Sequence, residues 1–507
     1  MSDTLQTSVL VIGCGIAGGV TALRLADAGA AVTVVTRARQ PRESNTFYAQ
    51  GGIIYRGDND SPQLLSEDVL RAGAGRSDPG NVTILAEDGP TLVNEVLLKR
   101  IGVHFDRNGG GDLSLAREGG HTLPRIIHAA DATGKAIAVA LINTLQRHPN
   151  ITLLTGHTAL DLLMAGPVCL GAYLLNQDTG QTLRCMAGQT VLATGGLGQI
   201  FKRTTNPPGA RGDGPAMAHR AGARLANMEF VQFHPTTFSH PDAGNFLISE
   251  AVRGAGARLV YADGESFMQR YAPEWLDLAP RDVVSRSIRA EMDRLDVPNV
   301  YLDLRAYIPR HEILSHFPTI YETCLRYGVD ITRDLVPVVP AAHYACGGIL
   351  VDEWGQTTLQ RLYAVGEVAC TGIHGANRLA STSLLEGVVW GDRAARHIGA
   401  HLVMPSSPPA NGHLNRPRPE PEDGVIEAYM AAVKEVMWQQ VGLVRTAPGL
   451  EDAARKLRHL QADIDAYTQR HTPTDSAAGL RNAVQTALLV TEAALANPVG
   501  VGCHYRV

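Results

Sequence analysis

Between Ser249 and Arg286 the chain gathers guanidinium and carboxylate groups, with Glu250-Ala-Val-Arg253 near the start and Pro280-Arg281-Asp282 near the end. An arginine keeps its proton at neutral pH, so one that moves protons must be desolvated and coupled to a carboxylate. Glu250 and Arg253 are the residue types that such a relay to Arg281 needs. The same residues would also make a surface ion pair. The stretch alone leaves both readings open.

The elements that must position this chemistry begin at the N-terminus. Ser8–Ile12 reads as a buried parallel strand, apolar because both sheet faces are covered. Gly13-Cys14-Gly15-Ile16-Ala17-Gly18 follows at once, then a helical pattern to Ala28 and a second strand from Ala31 to Val35. In this strand–turn–helix–strand setting the glycines predict dinucleotide binding. The first makes the turn, the second admits the pyrophosphate, and the third lets helix and strand pack. The phosphates then meet the helix N-terminus. The acid expected at the end of the second strand is absent, and Thr36-Arg37 stands there instead.

Further along, Ser44-Asn45-Thr46-Phe47-Tyr48-Ala49-Gln50-Gly51-Gly52 and Glu118-Gly-Gly-His121 read as polar loops, and Ile151–Leu175 alternates as a strand pair. Thr190 to Thr194-Gly195-Gly196 is a short apolar strand ending in glycines, a second place where backbone meets the cofactor. Asp213 opens a helix that it caps, or holds a ligand. From about Glu229 the texture changes to that of an inserted domain, with charged helices to Leu295. The nucleotide-fold texture returns after His343, where Leu362–Glu367 is again a strand ending in glycine and an acid. Val403–Gly424 is a linker by composition. Val425–Leu495 reads as three helices, broken around Ala447-Pro-Gly and His471-Thr-Pro-Thr.

At 507 residues two or three domains are expected. The formal net charge of -5 leaves no electrostatic footprint for nucleic acid, and no basic run suggests a membrane surface. The 7 cysteines are scattered, with no CxxC pair, which argues against a disulfide framework, a zinc site or an iron–sulfur site and points to a reducing, cytoplasmic compartment. The apolar run Val9–Leu23 lacks the basic flank of a signal peptide and is too short to span a bilayer.

Together these motifs resemble the succinate dehydrogenase/fumarate reductase flavoprotein superfamily, from the first strand almost to the last residue. The resemblance implies an α/β + α architecture. A Rossmann-like FAD-binding domain (1–228 and 344–402) is interrupted by an α+β capping domain (229–343), then follow the linker (403–424) and a C-terminal three-helix domain (425–507). FAD would lie on Gly13 to Gly18 and along Ser44 to Gly52, with Arg37, Asp213, Glu367, Ser383 and Leu384 as further contacts. The superfamily's respiratory members carry a histidine for covalent attachment where this chain has Asn45, so attachment is expected to be non-covalent.

Within the superfamily, Arg117-Glu118-Gly-Gly-His121 and Met437–Arg445 are similar to the branch that oxidises L-aspartate. That resemblance implies His343 and Arg378 on one substrate carboxylate, His234 and Ser249 on the other, Glu118 near the ammonium, and Arg281 with Glu250 and Arg253 as the proton route. L-Aspartate would give iminoaspartate, with O2 (yielding H2O2) or fumarate (yielding succinate) as acceptor, and quinolinate synthase as the next enzyme toward NAD. Two alternatives stand beside it. One is a soluble fumarate reductase or succinate dehydrogenase flavoprotein; the other is a non-catalytic FAD-binding or tRNA-modification module. Ser249 stands where threonine is usual, and the ending Gly500–Arg506 lacks the superfamily's usual Ser-Arg.

Overall fold

The computed structural model of the protein describes residues 4–405 and 418–507. Of the linker expected over 403–424, residues 406–417 lie outside the described residues.

Strand β1 (Thr4–Ile12) runs through the middle of a seven-stranded sheet. Val9, Leu10 and Val11 are fully buried, as a parallel strand covered on both faces requires. Helix α1 (Ile16–Asp27) follows the glycine turn, and β2 (Val32–Val35) returns parallel to β1, with Val9 opposite Val32 and Ile12 opposite Val35. Gly13 holds φ at 115°, and a Cβ there would collide with the Ala193 carbonyl, so only glycine fits. Helix α2 (Thr133–Arg147) leads into β3 (Ile151–Leu154), which extends the sheet beyond β2.

An antiparallel meander of β4 (His157–Ala165), β5 (Val168–Asn176) and β6 (Thr182–Leu192) comes next. Residues 151–175, expected as a strand pair, thus hold one parallel strand and one hairpin. Gly156 turns the chain between them at positive φ. The short strand expected at Thr190 is the end of the 11-residue β6, which lies parallel to β1 from Thr4↔Arg184 to Ile12↔Leu192.

Helix α3 (Asp213–Arg220) leads to a second, four-stranded antiparallel sheet. Its strands are β7 (Val231–Phe238), β8 (Arg258–Val260), β9 (Val300–Asp303) and β10 (Val336–Ala345), in the order β7-β10-β9-β8. Among the helices that share its core are α4 (Glu250–Gly254) and α5 (Arg281–Leu295). The face of α5 that carries Val284, Ile288 and Glu291 is buried at helical spacing, and its two apolar residues join Val252, Leu259 and Leu302 in one core. Strand β10 is continuous through Ala345, so the division expected between 343 and 344 falls inside a strand. Strand β11 (Leu362–Ala364) then pairs with the second half of β6, and α6 (Thr382–Ala400) packs on α1.

The C-terminal helices are α7 (Asp423–Gln440), α8 (Ala447–Arg470) and α9 (Asp475–Ala496). Pro448, expected at a break, lies inside the first turn of α8, where its missing N–H has no intrahelical partner to lose. Thr446 Oγ1 caps that turn, accepting from Gly449 N at 3.1 Å. The three helices share a core with Leu197, Phe201 and Phe233, so they brace the base of β7. Among the described residues no helix is long and apolar enough to cross a membrane.

Candidate active site

One cleft of about 1750 Å³, open mouth included, runs from the glycine turn along residues 43–52 to the underside of the second sheet.

The first end of the cleft is built mainly from backbone. Helix α1 starts at Ile16 with Gly15 as its N-cap, which has no side chain to bond the first turn and so leaves the amides after Ile16 to meet an anion. Ile16 N donates to Thr46 Oγ1 at 3.0 Å, tying the turn to the 44–52 segment. Thr194 Oγ1 and Asn45 Oδ1 are buried in the wall with no protein partner. Unpaired buried polar atoms of this kind fit a polar ligand along the cleft. Asn45 Nδ2 donates to Glu367 Oε2 at 2.5 Å, and burial raises the Glu367 carboxyl to about 7.

At the far tip of this end the charges are matched. Arg37 donates to the Asp475 carboxylate at 3.3 and 3.2 Å. Arg211 joins Asp475 at 3.1 Å and Asp213 at 3.0 Å. Burial opposes the Asp475 charge, but Arg211 and Arg37 outweigh it and hold this carboxyl well below the usual range. Asp213 is the first residue of α3 rather than its cap, and it also accepts from Asn482 Nδ2 at 2.9 Å.

The second end is built from side chains. Glu250, at the start of α4, accepts from Arg281 Nε at 2.6 Å and faces Arg253 Nη2 at 3.6 Å. Burial works against its charge, but Arg281 and then Arg253 outweigh burial and keep the carboxyl below its ordinary value. Arg253 lies behind the wall and donates Nη1 to the Asp277 carbonyl. These groups are buried, which overturns the surface ion-pair reading.

His234 on β7 and His343 on β10 stand side by side, ring centres 5.1 Å apart, because their strands pair. Thr236 N donates to His234 Nδ1 at 3.2 Å, so the ring proton sits on Nε2. Burial, then Arg281, pulls both histidines well below their ordinary values, so they are neutral donors or acceptors at neutral pH. Arg378 lies 4.3 Å over the Tyr344 ring, with Nη1 on Ser383 Oγ at 3.2 Å and Nε unpaired. Ser249 caps α4, accepting from Ala251 N at 3.3 Å.

Glu118 comes from the 117–121 loop and is buried rather than paired with Arg117 or Arg125. Arg117 donates to the His121 carbonyl, and Arg125 to Asp68 and Asp60. Ser381 Oγ donates to Glu118 Oε2 at 2.6 Å. A Cβ on Gly51 would stand 2.7 Å from Glu118 Oε1, so the missing side chain makes room for the carboxylate beside the 44–52 segment. Burial, then Glu250, raises the Glu118 carboxyl above its ordinary value.

The cleft wall includes Gly13, Cys14, Gly15, Ile16, Ala17, Arg37, Glu118, Asp213, His234, Ser249, Glu250, Arg281, His343, Glu367, Arg378, Ser383 and Leu384. It also includes the expected stretches 44–52 and 194–196, except Phe47. Phe47 packs edge-on against Tyr48 at 5.3 Å, since the helical turn 45–48 cannot point every side chain inward. Gly18 and Arg253 are likewise outside the wall, Gly18 because it serves helix packing: a Cβ there would collide with the Gly13 carbonyl. Sequence reasoning missed Thr205, Gln232, Tyr344 and Ser381. Only Ser381 carries a local signature, a non-glycine φ of 57° that opens α6. Among the described residues no cluster of His, Cys, Asp or Glu could hold a metal ion.

A cleft with a helix-N-terminal phosphate cradle at one end and a guanidinium–histidine clamp at the other defines an FAD-dependent class acting on small carboxylic acids. The FAD binding domain profile matches residues 8–384, and the fumarate reductase flavoprotein C-terminal profile matches residues 430–507. The chain is 45% identical to L-aspartate oxidase 1 of Ralstonia nicotianae, over 99% of this chain and 95% of the relative. It is 44% identical to the L-aspartate oxidase of Halobacterium salinarum, over 100% of this chain and 97% of the relative. A solved E. coli quinol fumarate reductase flavoprotein superposes with a TM-score of 0.90 at 28% identity, covering 100% of this chain and 92% of that one. The chain belongs to the L-aspartate oxidase family.

Proposed function

We propose that the protein oxidises L-aspartate to iminoaspartate with FAD as cofactor, passing the two electrons to O2 (giving H2O2) or to fumarate (giving succinate). Bound FAD supplies the hydride acceptor. The chain's own residues bind, orient and charge-balance the substrate. His343 and Arg378 hold one carboxylate, His234 and Ser249 the other, and the paired strands β7 and β10 set the spacing between the histidines. Arg281 passes a proton between the substrate and the Glu250–Arg253 pair behind it, which takes the proton toward solvent when L-aspartate is oxidised and returns it when fumarate is reduced. Iminoaspartate is then taken up by quinolinate synthase. Seven free, buried cysteines suit a cytoplasmic setting.

The observation that carries this reading is the buried carboxylate of Glu118 at the arginine end of the cleft. Histidines and arginines grip the carboxylates of succinate and aspartate alike. A buried carboxylate favours the ligand that adds an ammonium, and a charge-assisted hydrogen bond of this kind is worth about 1.5–3 kcal/mol. That corresponds to roughly ten- to a hundredfold in discrimination. Glu118→Gln should therefore lower L-aspartate oxidation by that factor relative to fumarate reduction. Equal loss of both activities would favour the fumarate reductase reading, which the structural likeness alone would also allow. A non-catalytic module gives no reason for His234, Arg281, His343 and Arg378 to converge.

A further inference from the structure

The last residues of the chain lie behind the substrate end. Gly502, at φ 55°, packs so tightly on Ala376 that a Cβ would stand 2.5 Å from its carbonyl oxygen. Cys503 N donates to that same oxygen at 2.9 Å, and Cys503 Sγ donates to Asn377 Oδ1 at 3.3 Å. Asn377 Oδ1 also accepts from Gln232 Nε2 at 2.8 Å, and this nitrogen donates to the Arg378 carbonyl at 2.8 Å as well. Gln232 Oε1 in turn accepts from Arg281 Nη1 at 3.1 Å. One run of hydrogen bonds therefore joins Cys503 to the Arg281 guanidinium through two buried amides.

A second contact reaches the helix that bears Arg281. Arg286, farther along α5, donates Nη1 to the Gly502 carbonyl at 2.9 Å and stacks 4.9 Å over the Tyr505 ring. The segment is itself anchored in the C-terminal domain. Buried Arg445 meets His504 Nδ1 at 2.8 Å and accepts Val507 N on its carbonyl at 2.9 Å. Arg506 Nη1 donates to the Leu495 and Asn497 carbonyls at 3.2 and 3.0 Å, at the end of α9.

We propose that Gly500–Arg506 is a positioning strap that sets helix α5, and through Gln232 the Arg281 guanidinium, against the loop that carries Arg378. The proposal rests on the reading of Arg281 as the proton-exchanging group. Proton transfer is sensitive to placement: a shift of about 1 Å can cost roughly a hundredfold in rate. None of the strap residues reaches the cleft wall. Their effect therefore passes through Arg281 and Arg378, and turnover falls while cofactor binding is spared.

The test uses Arg286→Ala and Arg286→Lys in the FAD-loaded, full-length enzyme, measuring kcat, KM, bound FAD and Tm with L-aspartate and with fumarate. Arg286→Ala should lower kcat about tenfold on both substrates, with FAD content and succinate affinity within about twofold of the parent. Arg286→Lys, which keeps one donor for the Gly502 carbonyl, should recover part of the loss. On the second arm Cys503→Ala should lower kcat about threefold, and Cys503→Ser, which keeps a donor for Asn377, should restore it. Parental kcat in Arg286→Ala, or a loss accounted for entirely by lost FAD or unfolding, would overturn the strap. Arg281→Lys in the same assay separates the two readings. Normal turnover there removes the role of Arg281 and the strap with it; a slow Arg281→Lys beside a fast Arg286→Ala removes the strap alone.

Discussion

The two ends of the cleft are both rich in charge but use it differently. At the cofactor end Arg37 and Arg211 are matched by Asp475 and Asp213, so the charges close on themselves and tie α9 to the nucleotide fold. At the substrate end Arg281 is paired with Glu250, Arg253 lies behind that pair, and Arg378 has no carboxylate bonded to it, while the histidines stay neutral. A surplus of positive charge remains there for an anionic ligand to fill. The difference supports the proposal that one set of arginines holds the structure while Arg281 and Arg378, in the cleft wall, serve an anionic substrate.

The largest effect that can break this contrast is expected at Arg281. Arg281→Lys keeps the charge but loses the guanidinium fork, and turnover should fall by ~10²- to 10⁴-fold while succinate still binds. Turnover close to that of the parent would reduce Arg281 to a charge in the clamp.

A smaller effect concerns pH. An ionised Glu118 leaves the substrate end a surplus of one positive charge, which suits L-aspartate with its ammonium. A protonated Glu118 leaves two, which suits succinate. Glu118 is raised above the ordinary carboxylate range by burial and by Glu250, and a bound dianion raises it further. Succinate binding therefore takes up a proton. Its Kd should be flat below the Glu118 value of the free cleft, then weaken by up to about tenfold per pH unit above it. Glu274, across the outer groove, His121 on the same loop and Glu367 in the same cleft are other ionisable groups. His121 is pulled by burial to about 4 and stays neutral in this window, whereas Glu367 is raised to about 7 and is the competing candidate for the proton. Glu118→Gln should flatten the profile. An unchanged slope in that variant would assign the proton to another group.

The smallest effect is expected at the cofactor end. Asp475 is depressed by Arg211 and Arg37, so its contribution to stability is present above the ordinary aspartate value and is lost as pH falls through the depressed one. Its side chain is 21% exposed, which moderates the contribution to about 1–2 kcal/mol. Asp475→Asn should lower Tm at pH 7 by about 1–2 °C, with the gap closing in acid and turnover of the FAD-loaded enzyme within about twofold. A large loss of turnover at full FAD occupancy would erase the distinction between the two ends.

The two ends also differed in how far sequence exposed them. Gly13 to Gly18 was readable because turn, phosphate cradle and helix packing are all local to six consecutive residues. The grouping of Glu250, Arg253 and Arg281 was visible as residue types, but their burial was not, since it depends on the second sheet and the 117–121 loop closing over them. Asp475 lies 438 positions from Arg37, and Cys503 lies 126 positions from Asn377, so no periodicity could announce either contact. Phe47 stands apart for the opposite reason: its side chain is not in the cleft wall. A contiguous motif suggested that every member touches the cofactor, whereas a helical turn must direct some side chains away.

The most direct test of the central claim is a peroxide assay under air with L-aspartate, D-aspartate, succinate and L-glutamate side by side on the FAD-loaded enzyme. The clamp of Arg378, His343 and His234, with Glu118 beside it, should give peroxide in step with iminoaspartate from L-aspartate. D-Aspartate turns the ammonium away from Glu118, succinate lacks it, and L-glutamate is one carbon too long, so all three should stay near background. Succinate oxidised as fast as L-aspartate, or no peroxide from any of the four, would contradict the account.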